Sequence, residues 1–77
     1  MFDIRVVALA PGDDRPYDEA EWRDALVLVR SGKIELCGVS GASRSFGRGD
    51  LLYLEGVPLR VLHNPGSEPA VLVAVSR

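Results

Sequence analysis

Gly49-Asp50-Leu51-Leu52-Tyr53-Leu54-Glu55-Gly56-Val57-Pro58, running on through Leu59-Arg60-Val61-Leu62 to His63-Asn64-Pro65-Gly66, is the stretch that decides the fold. A Gly-Asp turn opens an apolar strand and a Gly-Val-Pro bend closes it. A second strand follows and ends in an Asn-Pro-Gly turn. Glycine and proline at these points interrupt a ladder, so the segment reads as two short strands joined by a bend.

The same grammar recurs on both sides. Phe2, Ile4, Val6 and Ala8 alternate with Asp3 and Arg5, which predicts a strand whose Phe2–Ala8 face is buried. Pro11-Gly12-Asp13-Asp14-Arg15-Pro16 breaks that pattern. Leu26-Val27-Leu28-Val29 is apolar on both faces and closes at Ser31-Gly32-Lys33. Ile34, Leu36 and Gly38 then alternate with Lys33, Glu35 and Cys37. Val39-Ser40-Gly41-Ala42 reads as a hairpin turn, with Arg44 to Phe46 returning. Pro65 to Pro69 turns the chain into a last run, Val71 to Val75. About seven strands result, and turns at this spacing predict an all-β fold, a small antiparallel barrel or jelly roll.

One segment has two readings. Asp18 followed by Glu21 has the form of a helix N-cap with its box, and Trp22, Ala25, Leu26 and Val29 share a helical face. Leu26–Val29 nevertheless carries two β-branched residues and ends in a hairpin signal, which favours a strand. A short helical turn over Asp18–Trp22 fits either reading.

A chain of 77 residues has room for one domain, taken here as 1–77. So small a core calls for an added source of stability. Cys37 is the only cysteine, so no internal disulfide supplies it. Oligomerisation is the remaining source, and a homodimer through a strand edge or an apolar barrel face is expected. A net charge of −2 gives no basic face for nucleic acid. No apolar run is long enough for a membrane span, and no signal peptide is visible at Met1-Phe2-Asp3. An unpaired cysteine without an export signal fits the cytoplasm.

The order of turns and strands from about Ala10 to Ser76 resembles the small single-domain cupins. Gly49-Asp50 through Gly56-Val57-Pro58 matches the family's second motif. Pro11-Gly12, Leu26–Val29 and Gly32 match the frame of its first. The resemblance implies a cupin barrel, and in metal-dependent members a site of three imidazoles and one carboxylate. Counting back from Gly32 places Glu19 and Glu21 where two histidines would stand, and Asp24 or Ala25 near the family's Glu. After the bend stand Leu59 and Arg60, and neither replaces an imidazole.

His63 is the only histidine, so no site needing two imidazoles can form within one subunit. Glu19, Glu21 and Asp24 could offer oxygens to a harder ion, though a solvated acidic loop explains them as well. No metal and no cofactor is expected. The register after Pro58 stays open. Either Leu59, Val61 and His63 face inward, or Arg60, Leu62 and Asn64 do, because a one-residue slip exchanges the faces. An inward Arg60 would need a partner such as Glu19 or Glu21, or would hold a small carboxylate ligand. The expected function is a metal-free small-molecule binding or sensing module, with Glu19, Glu21, Trp22, Tyr53, Leu59 and Arg60 as ligand contacts. A cupin-type isomerase or lyase using Glu21, Arg60 or His63 is the alternative, as is a non-catalytic interaction subunit.

Overall fold

The period-two stretches become strands in a computed structural model that describes residues 1–77. In chain order they are β1 (Asp3–Leu9), β2 (Asp14–Pro16), the helical turn α1 (Glu19–Trp22), β3 (Leu26–Ser31) and β4 (Lys33–Gly38). β5 (Ser43–Gly47), β6 (Leu51–Tyr53), β7 (Leu59–His63) and β8 (Ala70–Ser76) complete the set. The first sheet runs β1-β8-β3-β6 and the second β2-β7-β4-β5, with every pair antiparallel. Their inner faces meet in one core that includes Trp22, Val27, Val29, Ile34, Leu62 and Leu72. Each such side chain contributes about 1.5–3 kcal/mol on leaving water.

Eight strands stand where about seven were expected. The additional one is β2, inside the stretch whose prolines argued against a ladder. It survives because it is an edge strand with Pro16 as its last residue, where no donor toward a further strand is required. Tyr17 continues the pairing, its N–H donating to the Arg60 carbonyl at 3.0 Å.

The phase of β1 is also corrected. Val7 and Leu9 are buried, whereas Phe2, Ile4 and Val6 are exposed on the outer side of the first sheet. Register decides this: Val7 lies opposite the buried Leu72 and Leu9 opposite the buried Ala70, so the alternate residues must point outward.

At the two-reading segment the strand prevails after one helical turn. The Asp18 side chain caps that turn by accepting from the Ala20 N–H at 3.1 Å. Arg23 is extended and Asp24 takes a positive φ of 57°, which ends the turn before β3.

The barrel end opposite α1 is held by two compact devices. Gly32 joins β3 to β4 at φ +77°, where a Cβ would lie 2.5 Å from the Pro69 carbonyl oxygen. Only glycine fits there. Asn64 is fully buried after β7; its Nδ2 donates to the carbonyls of Leu9 (3.0 Å) and Glu68 (2.8 Å), and its Oδ1 accepts from the Gly66 N–H at 2.9 Å. A buried amide with its partners in place costs little and ties the ends of β1 and β7 to the start of β8.

Candidate functional site

Small residues at the β4–β5 hairpin leave a gap in the wall. Gly38, Ala42 and Ser43 line it together with Leu52, Leu54 and Leu59, and a cavity of about 440 Å³ opens between β5 and β6. That volume lies in the range of small-molecule pockets. Leu36 and Phe46 also line it, and most of the lining is hydrophobic.

One charged side chain lines the cavity. Arg44 sits on the inward face of β5, opposite Leu36 and two residues before Phe46. Its guanidinium lies 5.9 Å from the Phe46 ring centroid and forms no ion pair with any carboxylate. Ser40 and Ser43 add hydroxyls to the wall. The sequence places Arg44 on the returning strand and assigns it no contact. The signal was present in the Arg44–Phe46 spacing, which places both on one face of a strand.

Tyr53 and Leu59 are the expected contact residues that line this cavity. The Tyr53 hydroxyl donates to Glu55 Oε2 at 2.6 Å, and that hydrogen bond raises the phenol's pKa. The register question after Pro58 resolves through a bulge. Val61 pairs with Cys37 and Leu59 with Gly38, so Arg60 is an extra residue on β7. The bulge shifts the alternation by one, which lets Leu59 line the cavity while Leu62 and Asn64 are buried farther along. Arg60 is exposed, and its charge opposes the rise that desolvation and Glu35 impose on the Cys37 thiol.

The remaining candidates lie elsewhere. Trp22 is wholly buried in the core with its indole N–H unpartnered. Glu21 bridges two arginines. Arg15 Nε donates to Oε1 at 3.1 Å and its Nη2 pairs with Oε2, while Arg5 Nη1 lies 3.3 Å from Oε2. Arg5 also donates to the Glu21 carbonyl at 2.6 Å and covers the Trp22 ring at 5.2 Å. The hydrogen bond from Arg15, reinforced by both positive charges, holds the Glu21 carboxyl below its ordinary range. Glu19 is exposed. His63 Nδ1 lies 2.5 Å from Asp14 Oδ1, on the outer side of the second sheet. Glu21, Arg60 and His63 are therefore not brought together, and none lines the cavity.

The donor set does not fit a cupin metal. No three of the histidine, cysteine, aspartate and glutamate side chains are grouped to hold an ion. Glu21 is occupied by two guanidinium groups.

Two packed antiparallel sheets with these motifs define the chain as a small cupin-type barrel. The comparisons with solved structures agree. The chain is similar to a Cupin 2 conserved barrel domain protein from Salinispora arenicola, with 27% identity and a TM-score of 0.77 over 96% of this chain. It spans 60% of that protein's length. It is also similar to the Cupin_2 domain of an XRE family transcriptional regulator from Enterobacter cloacae, at 23% identity and a TM-score of 0.68, covering 96% of this chain and 78% of that one. Oxidized CprK in complex with o-chlorophenolacetic acid matches at 18% identity and a TM-score of 0.57, over 94% of this chain and 32% of that one. No family model and no curated protein matches. No helix is long and apolar enough to cross a membrane.

Proposed function

We propose that the chain is a small-molecule binding or sensing module whose ligand is a small apolar carboxylic acid. The observation that carries this reading is a largely apolar cavity of about 440 Å³ with one unpaired guanidinium among its walls. Apolar walls take up a hydrocarbon or aryl body, and Arg44 offers the paired N–H donors that match a carboxylate. Ser40 and Ser43 give the acid further donors.

Two neighbours are compatible with this reading: one is a domain of a transcriptional regulator, and CprK holds an arylacetic acid. The isomerase or lyase alternative has less support, because Glu21, Arg60 and His63 lie outside the cavity lining.

The test is a thermal-shift and calorimetry series with phenylacetate, benzoate and hexanoate against phenylacetamide. The acids are expected to raise the melting temperature; at a hundredfold excess over Kd the gain is about 2.7 kcal/mol. Arg44→Gln is expected to weaken acid binding about tenfold or more while leaving the fold intact. Equal binding of acid and amide, an unaffected Arg44→Gln variant, or no binding by any acid refutes the reading.

A further inference from the structure

The geometry points to an N-acylated apolar α-amino acid as the acid the cavity takes, held with its amide paired to an open strand edge. This choice of ligand rests on the cavity being a site for apolar acids. Beside the charge of Arg44, the backbone around the cavity makes a polar demand of its own.

The cavity lies between two strands that each end a sheet. β6 is last in the order of the first sheet and β5 in that of the second, so each has a single neighbour. The Gly38 N–H donates to the Ala42 carbonyl at 2.7 Å, which sets the phase of the β4–β5 ladder. Bonded pairs alternate in an antiparallel ladder, so Leu36 exchanges bonds with Arg44 and Ile34 with Phe46. The N–H and C=O of Ser43 and Ser45 therefore point away from β4. Beside β6, the Val29 N–H donates to the Asp50 carbonyl at 2.9 Å, which makes Val27 and Leu52 the next bonded pair. Leu51 and Tyr53 then turn their N–H and C=O away from β3. No turn or loop backbone group meets either set. Ser43, Leu51 and Tyr53 line the cavity, so its walls include both open edges.

A ligand seated here covers those edges. An acid with a purely hydrocarbon body shields their N–H and C=O groups from water and returns no hydrogen bond, which costs affinity. An amide beside the carboxylate supplies one donor and one acceptor, which is what a strand edge presents. Ser43 offers such a pair next to Arg44, whose side chain takes the inward face of the same strand. An α-amino acid carries its carboxylate, apolar side chain and nitrogen on one carbon, so a single ligand meets the guanidinium, the walls and the edge. Acylation completes the match. It adds the acceptor that the Ser43 N–H requires and removes the positive charge that a free amine would set near Arg44.

Calorimetry on the 77-residue chain tests the assignment with 3-phenylpropanoate, N-acetyl-L-phenylalanine and the N-methyl derivative of the latter. The acetylated amino acid is expected to bind about tenfold tighter than 3-phenylpropanoate, and N-methylation to remove the gain. Phenylacetate is expected to displace it from the cavity. Ser43→Pro removes the edge N–H at the first residue of β5, where proline is tolerated, and is expected to abolish the preference for the acetylated acid. Should Ser43→Pro not fold, the N-methyl comparison carries the test. An alanine peptide ending in phenylalanine separates the two sources of this chemistry: tighter binding than N-acetyl-L-phenylalanine identifies a peptide carboxy terminus, and equal or weaker binding a free acylamino acid. Equal binding of 3-phenylpropanoate and the acetylated amino acid, or a gain that survives N-methylation, overturns the inference while the cavity remains a site for acids. Failure of every acid to bind refutes both.

Discussion

Between β1 and β2 the two sheets are tied together by Glu21, which takes Arg5 from one sheet and Arg15 from the other. Trp22 fills the space beneath them. Between β5 and β6 no ion pair spans the gap, and Gly38, Ala42 and Ser43 are too small to fill it. One flank is thus closed by charge over an aromatic plug, and the other is left as a cavity. The closed flank carries α1, which brings Glu21 and Trp22 across it; the open flank has no such turn, only small residues at the β4–β5 hairpin.

The largest effects are expected where both flanks share a foundation. Asn64→Asp keeps the shape but sets a carboxylate against the Leu9 and Glu68 carbonyls, so it is expected to cost about 3 kcal/mol or more. Gly32→Ala, with its Cβ driven toward Pro69, is expected to cost a similar amount, about 2–4 kcal/mol. Urea midpoints measure both. If either variant is as stable as the parent, the flanks do not rest on a common base.

Glu21→Gln addresses the closed flank. Its partly exposed ion pairs suggest a loss of about 1 kcal/mol at neutral pH, with acid binding in the cavity unchanged. The pH dependence has a definite sign. Because the folded carboxyl titrates below its ordinary value of 4.5, its contribution is complete above that value and fades as pH falls through the lower folded one. Unfolding curves from pH 7 to 2 should therefore show an acid-side decline that is shallower in Glu21→Gln. Parallel curves for the two proteins would mean that Glu21 does not bridge the sheets.

Ala42→Leu addresses the open flank and should change stability least, within about 0.5 kcal/mol. It is expected to fill the cavity and abolish phenylacetate binding. Retained binding would place the ligand elsewhere.

Much of this was legible locally. Leu26–Val29 read as a strand and forms one, and the Asp18 cap and its brief helical turn were visible in residue type. β2 was not, since proline breaks a ladder except at an edge, and only the sheet order puts the segment at one. The alternation of Phe2, Ile4 and Val6 predicts a buried face, and they are exposed. Alternation shows that a face is apolar and not which layer covers it. The sequence predicts a contact at Arg60 and none at Arg44, because the β7 bulge that excludes one from the cavity and the β4–β5 register that admits the other are properties of strand pairs.

The amino-acid order by itself determined the all-β class, most strand positions, the cupin-like succession of turns and the presence of only one imidazole. These follow from backbone preferences and composition, which act within a few residues. The tertiary structure alone decided that Glu21 meets two arginines, that Leu59 and Arg44 line one cavity, and that a whole apolar sheet face points outward. Each depends on register between strands distant in sequence, and a shift of one residue would exchange every inward side chain for its neighbour.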